Sequence, residues 1–199
     1  MGNLSEAASQ LEFLSAIQMA TGSTSEVEFL SALLAWKKDR DPLVHVEHLS
    51  QALDLHLKVI PTSFDGSLPG IIEANPEYML TLVRELSEHW PVDPINGGEP
   101  QPPALSKASQ LIDVIMQCSP GLLEARNFRA RVNFLVGNMT AAKKGASSLV
   151  QDEPGFSECH LLMAQIQLHD QELVQAQSSL EMGLAHNFEV REWPLFNIL

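Results

Sequence analysis

The stretch LEARNFRARVNFLVGNMTAAKKGASSLVQDEPGF, residues 123–156, decides the fold because the next 34 residues repeat its spacing. Ala130 and Ala164 are 34 positions apart, and so are Ala142 and Ala176. Small side chains at this interval allow the two antiparallel helices of each repeat to approach closely where they cross. A single helix pair cannot bury its own apolar face, so neighbouring pairs stack. The spacing therefore predicts an array of helix pairs.

Proline and glycine residues before and within this stretch support the same organisation. Pro120 and Pro154 are 34 residues apart and each ends one unit or starts the next, and Gly137 falls where two helices must turn. This pattern is typical of tetratricopeptide repeats. The predicted fold class is all-α, a tetratricopeptide-type α-solenoid of stacked antiparallel helix pairs. The residues predicted to pack the repeats are Ala108, Ala130, Ala142, Ala164, Ala176, Gly137, Pro120 and Pro154.

The remaining boundaries follow from helix periodicity and from turn residues. Five prolines and two glycines in the fourteen residues 91–104 exclude a helix and predict an exposed, mobile insertion. The predicted organisation is degenerate helical repeats at 1–60, a linker loop at 61–75, a repeat unit at 76–122 with the insertion at 91–104, repeat units at 123–156 and 157–190, and the start of a truncated further helix at 191–199.

Capping signals locate several helix starts in the first half. Asp41-Pro42 and Asn75-Pro76 each place a capping side chain before a proline at the first helical position. Ser25 with Glu28 matches a capping box. Each pattern predicts that a helix begins there.

Two local clusters raise the question of chemistry. Cys159 and His160 are adjacent on a predicted helix, so their side chains diverge by roughly 100° and cannot form a nucleophile–base pair. His45 and His48 are spaced to bind a metal, but no acidic or cysteine partner at ligand spacing completes a site, which favours a solvated helix face.

The chain has no phosphate loop, GxSxG or HExxH motif. We therefore expect no enzyme activity, metal or cofactor, and rank an enzyme with an unrecognised composite site last.

The composition limits the partners. The net charge is −13, from 25 acidic and 12 basic residues, which argues against nucleic acid and anionic membrane as primary partners. No stretch approaches the roughly 20 apolar residues that span a bilayer, so we expect no direct membrane insertion. The N-terminus has no secretory signal pattern.

A peptide groove is a second possibility for the repeats. Arg126, Arg129 and Arg131, together with Lys143-Lys144, form a basic concentration within the repeats. First-helix side chains line the inner groove of such solenoids, where they could receive an acidic peptide or a C-terminal carboxylate. The simpler alternative is that these arginines are solvated. The possible groove contacts are Asn127, Arg131, Leu161 and Gln165.

Several blocks resemble the tetratricopeptide repeat protein 21 family. They are LEFLSAIQMATG (11–22), NPEYMLTLVRELSEHWP (75–91), SPGLLEARNFRARVNFLVGNMTAA (119–142), LLMAQIQL (161–168) and SLEMGLAHNFEVREWPL (179–195). The last two look like the C-terminal region of family members. Because those members are far longer, the resemblance suggests a fragment or a short isoform.

The resemblance implies a scaffold rather than a site. Members of the family are subunits of intraflagellar transport complex A, which acts in retrograde transport and cilium assembly. It therefore implies other subunits of that complex as partners and the cytoplasm, cilium or flagellum, and basal body as locations. A free-standing adaptor that binds a short peptide in its concave groove is the alternative.

Overall fold

The structure, a computed structural model, describes residues 4–21, 24–60 and 68–186. Within these ranges the chain forms ten helices and no strand, so the all-α class is confirmed. The predicted helix at 191–199 lies outside the described residues. The helices are α1 (Leu4–Thr21), α2 (Ser25–Lys38), α3 (Pro42–Val59), α4 (Leu68–Ala74), α5 (Pro76–Ser87), α6 (Pro103–Cys118), α7 (Leu123–Leu135), α8 (Met139–Asp152), α9 (Ser157–His169) and α10 (Leu173–His186).

The chain divides into two compact units. The first contains Met1–Trp90 and Pro100–Pro120, with α1 to α6, and the second contains Pro91–Glu99 and Gly121–Leu199, with α7 to α10. This division joins α5 and α6, the helices of the predicted unit 76–122, to the N-terminal helices.

Large aliphatic side chains fill the core of the first unit. Helix α3 contacts α2, α5 and α6, and α5 also packs against α6. Because leucine and isoleucine recur every three or four positions, each helix turns one apolar stripe inward. The fully buried members of this core are Leu49 and Leu53 on α3, Met79, Leu80, Leu82, Val83 and Leu86 on α5, and Leu105, Leu111, Ile112 and Ile115 on α6.

Two of the predicted helix starts are confirmed. The Asp41 side chain accepts from the backbone N–H of Leu43 at 2.9 Å, and Pro42 is the first residue of α3. Asn75 caps α5 in the same way, since its side chain accepts from the N–H of Tyr78 at 3.2 Å. Both side chains satisfy a backbone donor that the first helical turn leaves without a partner.

The predicted capping box at Ser25 is wrong. Helix α2 begins at Ser25 itself, with Thr24 at the N-cap position. The Ser25 hydroxyl donates to the carbonyl of Ala52 at 2.7 Å and lies 2.7 Å from the Tyr78 hydroxyl. A buried hydroxyl gains more from these tertiary partners than from its own helix end, because a buried polar group without a partner is costly.

The predicted linker loop at 61–75 is wrong for its second half. Residues 68–74 form the short helix α4, whereas residues 61–67 lie outside the described part of the chain. His56 Nε2 lies 2.9 Å from the Ala74 carbonyl, which joins the end of α4 to α3, and α4 also contacts α6. Turn residues suggested a loop because seven residues are too few to show a helical period.

The second unit consists of two helix hairpins. The turn from α7 to α8 spans residues 136–138, and the turn from α9 to α10 spans residues 170–172. Such short connections make each pair antiparallel. Helix α9 contacts both α7 and α8, so the second hairpin stacks on the first. This arrangement is the repeat packing that the 34-residue spacing predicts.

The proline-rich insertion is shorter and better anchored than predicted. Residues 91–102 form no helix, but Pro103 and Ala104 already belong to α6. The backbone N–H of Ile95 donates to the carbonyl of Leu135 at 2.7 Å, at the C-terminal end of α7. Because Ile95 is half-buried, one apolar residue and one backbone bond hold a segment for which the sequence predicted no anchor.

Candidate interaction surfaces

The alanines predicted to pack the repeats are all buried. Those of α7 and α8, Ala130 and Ala142, lie inside the first hairpin of the second unit, and Ala164 and Ala176 occupy the same places in the second hairpin. Ala108 is fully buried within the first unit, on α6. Alanine at these places keeps the helices close, since a larger side chain would separate them.

Two glycines that the period did not indicate lie at close helix crossings in the second unit. A Cβ on Gly145 would lie 2.9 Å from the Cβ of Ala130, and one on Gly183 would lie 3.2 Å from the Cβ of His160. Gly145 and Gly183 are 38 positions apart, so a search at 34 residues passes over them. The sequence did contain a signal for them, because a glycine inside a helix lowers helix stability and therefore indicates a packing reason.

The predicted turn and boundary residues lie at the surface. Gly137 has φ +79°, a left-handed conformation that glycine adopts without strain, and it follows the end of α7. Pro120 and Pro154 are exposed and stand before α7 and α9 respectively. Their position between helices fits the role of a unit boundary, because proline cannot continue a helix.

The four possible groove contacts lie on the two first helices of the second unit. Asn127 and Arg131 are one turn apart on α7, and Leu161 and Gln165 are one turn apart on α9. All four are half-buried. The Oδ1 atom of Asn127 is buried and has no hydrogen-bond partner among the described residues. An acceptor buried in this way is out of reach of a ligand in the groove unless the side chain turns outward.

Arg126 and Lys143, two basic side chains near this surface, are paired with acids. The Arg126 guanidinium contacts Asp152 and also donates to the Ser148 hydroxyl at 3.0 Å. Hydrogen bonding to Arg126 lowers the pKa of Asp152. Lys143 pairs with Asp170, and this bond raises the pKa of Lys143 and lowers that of Asp170. Because Arg126 and Lys143 are already paired, they contribute less positive charge for the binding of an acidic peptide.

Cys159 and His160 have structural partners. The Cys159 thiol donates to the carbonyl of Phe156 at 2.8 Å, and His160 Nε2 lies 2.9 Å from the carbonyl of Pro154, to which it donates. Burial raises the pKa of the Cys159 thiol to about 11, so the thiolate is rare at neutral pH. These two hydrogen bonds stabilise the start of α9 against the preceding turn.

His45 is not on a solvated face, which corrects the sequence interpretation. Its side chain is fully buried, and its ring stacks on Trp36 with centroids 5.0 Å apart. His45 Nδ1 lies 2.7 Å from His89 Nε2, and His45 Nε2 lies 3.6 Å from Glu85 Oε2. Burial, with help from the two neighbouring histidines, lowers the pKa of His45 to about 4. His48, in contrast, reaches Glu28 at 3.0 Å near the surface.

In the part of the chain that the structure describes, no three His, Cys, Asp or Glu side chains are grouped in a way that could hold a metal ion. None of the described helices combines the length and the apolar character needed to cross a membrane.

An open groove runs between α3 and the start of α6 in the first unit, with a volume of about 480 Å³. We call it the α3–α6 groove. Apolar side chains form most of its surface, and the carboxylates of Glu47 and Asp54 stand among them. Its lining residues are Pro42, Leu43, Val46, Glu47, Ser50, Gln51, Asp54, His89, Pro102, Pro103 and Ala104.

Comparison with known proteins identifies the kind of repeat. The family model described as "Tetratricopeptide repeat protein 21 second ARM domain" matches residues 1–171. An ARM domain is a stack of helices, in agreement with the helix pairs described above.

Curated relatives match the whole chain. It is 31% identical over 201 residues to human tetratricopeptide repeat protein 21B and 32% identical over 198 residues to the mouse protein of that name. It is 29% identical over 204 residues to mouse tetratricopeptide repeat protein 21A. Each alignment covers 100% of this chain and 15% of the relative, so the chain spans about 15% of the length of these proteins. With the family model matched over residues 1–171, the chain belongs to the tetratricopeptide repeat protein 21 family.

Proposed function

We propose that the chain is part of a non-catalytic scaffold in intraflagellar transport complex A, which acts in retrograde transport and cilium assembly. Its partners are other subunits of that complex, in the cytoplasm, the cilium or flagellum, and the basal body. The observation that carries this proposal is the family match over residues 1–171 of a helical-repeat fold. The family resemblance is the reason for naming this complex, and the stacked helices provide faces that can bind a protein.

The physical mechanism is packing between helix faces. Helix α10 exposes three large apolar side chains, Leu173, Val174 and Met182, and Val174 is 80% exposed. Repeat proteins bury such faces against neighbouring helices, and burial of apolar area is the main source of their binding energy. This surface therefore suits a protein partner better than a small substrate.

Affinity purification from ciliated cells tests the proposal. The tagged 199-residue chain is recovered and its partners are identified by mass spectrometry, with circular dichroism to confirm that the purified chain is helical. We expect subunits of the transport complex in the sample. Recovery of chaperones alone with a folded chain would contradict the proposal.

A matched pair of variants locates the contact. Val174→Asp places a charge in the exposed apolar surface of α10 and should reduce recovery of the complex. Val59→Asp changes an equally exposed valine, at 83%, on α3 and should leave recovery unchanged. Equal losses in both variants would show that recovery depends on general surface chemistry rather than on α10.

The alternative is an adaptor that binds a short peptide along α7 and α9, two helices in contact whose four predicted groove residues are half-buried. In that case Arg131 of α7 forms a charge-assisted bond with the peptide. Arg131→Ala should then weaken binding of a peptide taken from a recovered partner protein by about 1–3 kcal/mol. Arg129→Ala, at an exposed position of the same helix, is the matched control. Normal binding by Arg131→Ala would exclude this adaptor.

A further inference from the structure

The α3–α6 groove has the physical properties of a preformed binding site. Pro42, Pro102 and Pro103 contribute to its walls, and proline has a fixed φ and little freedom to lose when a ligand binds. A volume of about 480 Å³ lies within the range of known ligand sites. The groove therefore needs little rearrangement to accept apolar side chains.

Leu43 shows that apolar area is open to a partner here. Its side chain is 80% exposed although it lies beside Val46 and Ala104 in the groove. A single exposed leucine is unremarkable in a soluble protein. A leucine at the edge of a concave apolar surface differs, because one ligand side chain can cover the leucine and the surface together.

The charged groups of the groove are mainly acidic. Glu47 is exposed, and its contact within the described residues is a 3.5 Å approach from Gln51 Nε2. Asp54 is half-exposed and receives a 2.5 Å bond from Lys107. Burial lowers the pKa of His89, which favours its neutral form at pH 7, so this ring does not offset the carboxylates. Because Lys107 offsets the charge of Asp54, a ligand meets an apolar surface whose negative charge comes from Glu47.

We propose that the α3–α6 groove binds a short segment of a partner protein in which large aliphatic side chains alternate with lysine or arginine. The aliphatic side chains cover Leu43 and Val46, and a cationic side chain pairs with Glu47. Charge complementarity selects this partner over an acidic peptide, which the carboxylates and the chain's net charge of −13 repel. The assignment of the ligand to a partner protein rests on the proposed scaffold role. The preference for aliphatic and cationic side chains rests on the groove alone.

The test uses the full 199-residue chain and a short synthetic peptide that alternates leucine and lysine. Its affinity is measured by fluorescence anisotropy at physiological salt and compared with that of two matched peptides. One of these replaces lysine with glutamate, and the other replaces leucine with serine. We expect binding of the leucine–lysine peptide and at least about tenfold weaker binding of the other two.

Four variants separate the groove from general charge attraction. Leu43→Ser and Glu47→Lys should each weaken peptide binding about tenfold, since they remove an apolar anchor and reverse the complementary charge. Val59→Ser and Glu73→Lys make the same changes at exposed positions outside the groove and should bind normally.

Several outcomes would overturn the proposal. They are no binding, equal weakening by Glu47→Lys and Glu73→Lys, and self-association of the chain through the groove in place of peptide binding. Since the assay contains only purified components, failure here leaves recovery of the transport complex unaffected. Failure to recover the complex likewise leaves the peptide result standing.

Discussion

At the scale of single residues, His45 and His48 show how environment decides chemistry. They are three positions apart on α3, yet His45 is fully buried against Trp36 and His89, whereas His48 faces Glu28 near the surface. The pKa of His45 is lowered to about 4 because a charged imidazole loses its hydration in the core. The same residue type therefore carries two different roles within one helical turn.

The stability of the chain should fall as the pH falls from 6.5 to about 4. In this range the unfolded chain protonates His45, with an ordinary pKa of 6.5, before the folded chain does. Stability is therefore fully present above pH 6.5 and decreases by up to about 3 kcal/mol below it. His89, with a lowered pKa, adds to this slope, whereas Glu85, with a raised pKa, opposes it. Urea unfolding at a series of pH values measures the slope.

Two histidine variants identify the group responsible. His45→Phe keeps an aromatic ring against Trp36 but cannot titrate, so its stability should change less with pH. His48→Phe leaves the buried imidazole of His45 in place and removes only the smallest cause of its lowered pKa, so most of the wild-type slope should remain. If His45→Phe has the wild-type slope as well, another group causes the acid sensitivity.

Gly145 provides a second test at this scale. Glycine to alanine inside a helix normally stabilises by up to about 1 kcal/mol. At Gly145 the new Cβ would lie 2.9 Å from that of Ala130, so α7 and α8 would have to separate. We expect Gly145→Ala to lose about 1–2 kcal/mol of unfolding free energy in urea titrations.

Gly121→Ala is the control for this crossing. Its Cβ would meet no atom within 4 Å, so the substitution should be close to neutral. A gain of stability in Gly145→Ala would mean that the two helices are not held at the distance seen in the structure.

At the scale of elements, helix ends depend on a few side chains. Asp41 caps α3 through bonds from the backbone N–H groups of Leu43 at 2.9 Å and Val44 at 3.4 Å. Helix α3 contacts three other helices of the first unit, so its start affects the whole unit. The turn at Gly137 has a comparable role in the second unit, because its positive φ permits α8 to fold back on α7.

Asp41→Ala should destabilise the chain by about 1 kcal/mol, the usual cost of losing an N-cap side chain. Asp41→Asn keeps the oxygen acceptor and should remain within a few tenths of a kcal/mol of wild type. Thermal unfolding followed by circular dichroism compares the two. Equal losses would show that the negative charge at the helix start, rather than the hydrogen bond, provides the stability.

At the scale of the whole molecule, the excess of negative charge opposes folding. The net charge of −13 brings like charges together when the chain becomes compact. Exposed ion pairs such as Lys107–Asp54 and Arg84–Glu77 offset little of this repulsion, since surface pairs contribute about 0–1 kcal/mol each.

Added salt should therefore raise the melting temperature. Between about 10 mM and 150 mM sodium chloride the screening length falls from about 30 Å to about 8 Å, which weakens repulsion across the surface. Scanning calorimetry measures the shift. Glu73→Lys reduces the net negative charge by two units and should respond less to salt. A melting temperature that falls with salt would mean that specific ion pairs outweigh the repulsion.

The sequence by itself determined the helical class, the 34-residue period of the last half and the starts of α3 and α5. These features depend on residues close together in the chain, because a cap, a turn or an apolar stripe acts within one or two helical turns. The family, too, was visible in local blocks such as 119–142.

Only the tertiary structure decided the burial of His45, the use of the Ser25 hydroxyl, the helix α4 and the α3–α6 groove. Each depends on contacts between helices that are distant in sequence, such as the pairing of His45 with His89 and of Ser25 with Ala52. Local periodicity describes which face of a helix is apolar, but it does not describe what packs against the other faces. For that reason the repeat could be predicted from spacing, whereas the α3–α6 groove could not.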